Sequence, residues 1–214
     1  MNRIRSYIYS FIFLALTCPS NLYAQAVSGT LNGHDYVDLG LSVKWATCNV
    51  GATKPSDYGN YYAWGETKTK TEYTFDNSKT YGKEMGDISG KKRYDAARAI
   101  WGGSWRMPTA AEIQELIDNC TWTWTVQDGH NGYRITGPNG NSIFLPATGS
   151  NDEKPSIGAG LCGGYWTSSP PISKIFRGIE ETGDARFLYF DDTRCDLTIA
   201  HLRIIGHSVR PVTK

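Results

Sequence analysis

The stretch from Gly102 to Cys120, GGSWRMPTAAEIQELIDNC, constrains the fold of this chain more than any other. Thr109 and Glu112 stand at the T-x-x-E spacing of a capping box. In that motif the threonine hydroxyl accepts the amide of the third helical residue, and the glutamate reaches back to the threonine amide. A helix therefore starts at Thr109. Ile113, Leu116, Ile117 and Cys120 recur at i, i+3, i+4 and i+7 as one apolar stripe, while Gln114, Glu115 and Asp118 point the other way. One face is buried and the other is wet. Trp105 and Met107 supply bulk ahead of the cap, and Pro108 biases Met107 towards extended backbone.

Shorter elements are legible on both sides of this helix. Asp95 can cap a short helix running through Ile100, with Gly102 as its left-handed stop. Upstream, Tyr36 to Leu39 and Val43 to Ala46 carry strand-forming residues around a Gly40 turn, and Tyr61, Tyr62 and Trp64 read as extended and inward-facing. Thr67 to Lys92 is polar and aperiodic, which predicts a long surface loop. Downstream, Trp122 and Trp124 alternate with threonines, so both rings face one side of a strand, as core aromatics in preference to a sugar-stacking platform. Gly132 to Thr136 and Ser142 to Pro146 flank Gly137-Pro138-Asn139-Gly140-Asn141, a hairpin. Tyr165 to Ser169 predicts a core strand with Trp166 buried and its serines bonded to backbone, and Ser208 to Val212 a short closing strand.

The first residues read as processed. Arg3 and Arg5 form a basic n-region, Tyr7 to Leu16 an apolar run too short to span a bilayer, and Leu22-Tyr23-Ala24 a cleavage site. Residues 1–24 thus predict a secretory signal peptide and an exported chain at the cell surface, in the periplasm or outside the cell. The alternative makes Cys18 a lipidated residue, although Thr17 and Ala15 fit that cleavage pattern poorly. No other apolar run is long enough for a transmembrane helix. Residues 25–34 are small and polar, a linker, which leaves residues 35–214 as a single domain with a real core.

Without Arg3 and Arg5 the 22 basic residues become 20, against 21 acidic ones, which excludes an electrostatic footprint for nucleic acid or an anionic membrane. Seven tryptophans, thirteen tyrosines and 23 glycines point to aromatic-packed loops and short strands rather than a helical bundle. Cys48, Cys120, Cys162 and Cys195 form an even set, which in an exported chain predicts disulfides of a connectivity left open. No C-x-x-C pair supports a metal or redox site instead.

Six blocks carry a resemblance to a known family: YVDLGLSVKWATCNVGA (Tyr36 to Ala52), YYAWGE (Tyr61 to Glu66), DAARAIWGGSWRMPT (Asp95 to Thr109), NCTWTW (Asn119 to Trp124), YWTSS (Tyr165 to Ser169) and GHSVRPV (Gly206 to Val212). In this order they resemble the Fibrobacter succinogenes major paralogous domain, a family of secreted domains of Bacteroidetes-type gut bacteria. W-R-x-P-T before an acidic helix is similar to the formylglycine-generating-enzyme-like branch of the C-type lectin fold. The resemblance implies an α+β domain of small twisted antiparallel sheets, one or two helices and extensive loops, with the last strand paired to the first near Tyr36. It also favours Cys48 with Cys120, which lie in family-like blocks, and Cys162 with Cys195, which lie in the less typical C-terminal part.

Catalysis finds little support in these residues. The oxidases that this fold resembles bind copper through two nearby cysteines close to the C-terminus, whereas Cys195 stands alone in that region. His34, His130, His201 and His207 lack the spacing that puts two ligands on one helical face, although His201 and His207 could meet in space. Glu180 with Glu181 and Asp191 with Asp192 are chain neighbours that point to opposite faces, which does not suit glycoside cleavage. Ser168 and Ser169 have no G-x-S-x-G context. Asn139 and Asn141, with Asp152 and Glu153 farther on, offer oxygen ligands of the kind calcium takes, but no carboxylate neighbours the asparagines. No cofactor is therefore expected.

A binding module fits better, because a rigid aromatic scaffold carries an irregular segment between YWTSS and SVRPV. Related lectin-like domains bind ligands on that C-terminal face. Arg186, Tyr189, Asp191, Arg194, His201 and Arg203 are the expected contacts for a glycan or protein ligand, offering aromatic anchors and charge-assisted hydrogen bonds. A structural module of a surface or fimbrial assembly is the alternative.

Overall fold

Both halves of the predicted capping box form. Glu112 N donates to Thr109 Oγ1 at 3.2 Å and Thr109 N donates to Glu112 Oε2 at 2.8 Å. Arg106 adds a bidentate pair to the same carboxylate, at 2.8 and 2.5 Å, so the loop ahead of the helix is tied to its first turn. This is a computed structural model, and it describes residues 27–152, 157–171, 175–176, 179–180, 183–197 and 200–214. The expectations for the signal segment, Cys18, Glu153 and Glu181 lie outside the described residues.

In chain order the elements are β1 (Gly29–Leu31), β2 (His34–Val37), β3 (Lys44–Ala46), α1 (Ala96–Trp101), α2 (Ala110–Asn119), β4 (Thr121–Gln127), β5 (His130–Thr136), β6 (Ser142–Pro146), β7 (Cys162–Trp166), β8 (Ile175–Phe176), β9 (Ile179–Glu180), β10 (Asp184–Asp191), β11 (Cys195–Asp196), β12 (Ala200–Leu202) and β13 (Val212–Thr213). The class is α+β, with small antiparallel sheets and two helices. None of the described helices is long and apolar enough to cross a membrane.

One sheet runs β1-β2-β3-β13. Two expectations are corrected here. The stretch read as a linker before residue 35 contains β1 and the start of β2, joined through Asn32-Gly33, both at positive φ (48° and 78°), the pair favoured in two-residue hairpins. The last strand does not pair near Tyr36: β13 pairs with β3, with Val212 opposite Trp45, while β2 takes the other edge of β3 and sets Val37 opposite the same tryptophan. Trp45, fully buried, is best covered by a strand on each side.

A second sheet, β4-β5-β6, contains the expected hairpin, whose turn is pinned because Asn139 Nδ2 and Asn141 Nδ2 both donate to the Asp38 carbonyl at 2.9 Å. A third centres on β10, which pairs with β7, β11 and β12. Its DARFLYFD sequence splits by parity: Leu188 and Phe190 enter one core cluster with Val37, Trp45, Ile113, Leu116 and Ile135, while Ala185 and Phe187 enter another with Trp64, Trp101, Trp105 and Trp166. β10 is thus buried on both faces. Trp122 and Trp124 pack edge-on against Phe190 and Tyr133, the core role expected of them. Each fully buried tryptophan removes roughly 200 Å² from water, about 5 kcal/mol of gross transfer energy.

Between Thr67 and Lys92 there is no helix or strand, as expected, yet Tyr73, Thr80 and Ile88 are buried, so the loop is packed down. Arg210, 1 % exposed, donates to Asn49 Oδ1 (2.8 Å) and to the carbonyls of Ala46 (3.0 Å), Thr47 (2.8 Å) and Phe144 (3.0 Å). One side chain therefore staples the first sheet to the second.

Candidate functional site

The β10–β11 hairpin carries three of the six expected contact residues to one exposed tip. Its turn is held by Asp191: Oδ1 accepts the Thr193 hydroxyl (2.5 Å), the Thr193 amide (2.9 Å) and the Arg194 amide (3.1 Å). The other oxygen accepts the Tyr189 hydroxyl at 3.1 Å and lies 3.5 Å from Arg194 Nε. The Thr193 hydroxyl and amide chiefly hold the Asp191 carboxyl down at about 2, so it is ionised at any physiological pH. Arg194 lies over the Tyr189 ring, 5.1 Å from its centroid, and its side chain is 61 % exposed. A planar cation is thus oriented by an aromatic face and a carboxylate while keeping donors open to solvent, which equips this tip for carboxylates, hydroxyls and carbonyls of a ligand.

The other three residues lie elsewhere. Arg186 is half-buried farther along β10, reaching the Leu197 carbonyl at 3.4 Å, and burial lowers its pKa. Arg203 is a correction. At 1 % exposure it is no surface contact; Nε donates to the Asp184 carbonyl (2.8 Å), Nη1 to the carbonyls of Thr80 (3.1 Å) and Lys83 (2.7 Å), and the guanidinium lies 4.5 Å from the Trp64 ring centroid. Burial pulls its pKa down to about 10. The three carbonyls that converge on it explain why a cation sits inside: Nε and both Nη1 hydrogens find fixed acceptors.

His201 and His207 do meet. His201 Nδ1 and His207 Nε2 are 2.8 Å apart, and both rings stack on Phe187, with His207 also edge-on to Trp166. His207 is 2 % exposed, its Nδ1 without a hydrogen-bond partner, and Gly164 makes room for it, since a Cβ there would stand 2.3 Å from that nitrogen. Burial first, and then His201, pushes the His207 pKa well below the ordinary value. Burial lowers His201 as well, opposed by Asp184 and Asp152. Among the described residues no group of three or more His, Cys, Asp or Glu could hold a metal ion.

All four described cysteines carry free thiols, contrary to the expected bridges. Geometry explains one case. Tyr189 is registered with Gly164 on β7 and with Asp196 on β11, so β10 runs between those strands. Cys162 faces Asp191 and Cys195 faces Phe190, neighbours that point to opposite faces. Two strand spacings, roughly 9.6 Å, separate the cysteines, beyond the roughly 4.4–6.8 Å that a disulfide spans. Cys120 caps the end of α2 against the first core cluster, while Cys48 follows β3 beside Thr47. Burial raises the thiols of Cys120 and Cys195 to about 11 and 12.

The serines of YWTSS do not bond to backbone alone. Both Ser168 and Ser169 donate to Asp87 Oδ2 (3.1 and 2.9 Å), and Ser169 Oγ accepts the Ala110 amide at the start of α2 (3.1 Å). A site that sequence reading passed over is a cleft of about 500 Å³ formed within the 65–94 loop, lined by Glu66, Lys79, Lys83, Glu84, Arg93 and Tyr94 among others. The only available signal was the density of lysines in a stretch read as ordinary surface.

No family model, no curated protein and no solved structure matches this chain.

Proposed function

We propose that this chain is an exported, non-catalytic recognition module of formylglycine-generating-enzyme-like, C-type-lectin-like architecture, akin to the Fibrobacter succinogenes major paralogous domain. It binds a glycan or a surface protein through the tip of the β10–β11 hairpin. The observation that carries this reading is the Tyr189–Asp191–Arg194 constellation: an exposed cation in the turn, fixed by a ring and an ionised carboxylate that stand on β10, a strand locked into two core clusters. Preorganisation of this kind lowers the entropy cost of binding, because the rotamers that matter are already selected. Nothing in the reading requires a bound cofactor.

The test is a glycan and surface-protein array probed with the purified protein, with and without calcium, beside a Tyr189→Ala/Arg194→Ala variant whose folding is checked by circular dichroism. The expected result is a specific, calcium-independent signal that falls at least tenfold in the variant. Equal binding by the folded variant removes the site from the hairpin. Silence across the array, together with self-association or capture of a partner chain, replaces the recognition reading with the structural-assembly one.

A further inference from the structure

The 65–94 loop is pinned from beneath with unusual thoroughness for a segment without helix or strand. Thr80 Oγ1 donates to the Trp64 carbonyl at 2.6 Å. Arg203 grips the carbonyls of Thr80 and Lys83, and the buried Glu66 accepts the Lys79 amide at 2.9 Å and Lys70 Nζ at 2.8 Å. Three buried polar side chains thus fix one short arc of backbone. That arc carries Lys79 and Lys83 to the rim of the 500 Å³ cleft, where Arg93 and Tyr94 complete the wall. Arg93 is exposed, with its guanidinium 5.4 Å from the Tyr94 ring centroid.

Charge decides which ligand such a cleft takes. Lys79, Lys83 and Arg93 line the cleft with two carboxylates, Glu66 and Glu84; Lys83 Nζ also donates to the Lys79 carbonyl at 2.6 Å, and Glu66 already has Lys70 as its counter-ion. The balance is positive. A cavity of this volume suits a ligand of a few rings, and its wall is polar apart from Met85 and Tyr94, which disfavours an apolar guest. From this cleft we infer a second binding site, separate from the hairpin tip, for an acidic saccharide: a pyranose oligomer whose carboxylates pair with Lys79, Lys83 and Arg93 while its hydroxyls meet the polar wall. Arg203 serves it indirectly, as the buried clamp that positions the lysine-bearing backbone. The inference stands whether or not the hairpin binds anything.

Isothermal titration calorimetry of the purified protein with trigalacturonic acid tests this, with cellotriose as the neutral counterpart and sodium sulfate as the bare anion. Trigalacturonate is expected to bind, to weaken at least tenfold in a Lys83→Gln/Arg93→Gln variant, and to weaken several-fold when salt rises from about 50 to about 200 mM. Both substituted side chains are exposed, so the variant keeps its fold. Tyr189→Ala/Arg194→Ala leaves this binding unchanged, which separates the two sites. The inference is overturned if trigalacturonate gives no heat, if cellotriose binds as well, if sulfate alone binds as tightly, or if the cleft variant binds like the parent.

Discussion

Acid should weaken this protein before its carboxylates titrate, and the reason is His207. In the unfolded chain a histidine titrates near 6.5, whereas the folded environment, closed by Trp166, Phe187 and His201, holds His207 neutral far below that. Below about pH 6.5 the unfolded state therefore binds a proton that the folded state refuses. The contribution of His207 is fully present above that pH and is lost as pH falls. Between pH 7.5 and 5.5 the unfolded-state protonation factor changes about tenfold, which costs about 1.4 kcal/mol for His207 alone. His201, also depressed, adds in the same direction. For a domain of this size that is a fall in Tm of roughly 3–6 °C. Urea unfolding monitored by tryptophan fluorescence at both pH values measures it directly. His207→Gln should lower stability at pH 7.5 yet flatten the pH dependence by about 1.4 kcal/mol. An unchanged slope in that variant, or equal stability of the parent at the two pH values, refutes the reasoning.

Other outcomes follow from particular contacts. Arg210→Met should cost about 3–5 kcal/mol in chemical denaturation, because it strands the carbonyls of Ala46, Thr47 and Phe144 together with Asn49 Oδ1. A loss below 1 kcal/mol in the same assay would show that the staple carries little. Thr109→Ala removes the acceptor for the Glu112 amide and should lower stability by about 1 kcal/mol, whereas Gln114→Ala, on the wet face of α2, should change it by under half of that. Reductant should leave the Tm unchanged, and thiol titration in denaturant should find Cys48, Cys120, Cys162 and Cys195 all reactive. A reductant-sensitive Tm would instead reveal bridges.

What sequence reading recovered, and what it missed, divides by the range of the interaction. The capping box at Thr109, the Asp95 cap, the hairpin around Gly137 to Asn141 and the inward Trp166 all rest on contacts within a few residues or on simple alternation, and all are present. Asn32-Gly33 is equally local, a turn dipeptide set in a stretch whose small, polar composition reads as a linker. Pairing of β13 with β3 depends on contacts more than 160 residues apart along the chain, which no local pattern encodes. Arg203 looked like a surface cation because chemistry alone cannot say that Thr80, Lys83 and Asp184 will converge their carbonyls on it. The grouping of Tyr189, Asp191 and Arg194 apart from Arg186, His201 and Arg203 was not legible, because the turn that Asp191 closes on Thr193 and Arg194 lies in a stretch whose composition reads as irregular. The cysteines misled as well: counting them says nothing of the strand that runs between Cys162 and Cys195.

The most direct test of the recognition account is hydrogen–deuterium exchange of the protein with and without the ligand that the array identifies. The account predicts slowed exchange in residues 189–196, with the β4–β6 sheet unaffected. Protection confined to that sheet, or an unaltered hairpin under saturating ligand, would contradict it.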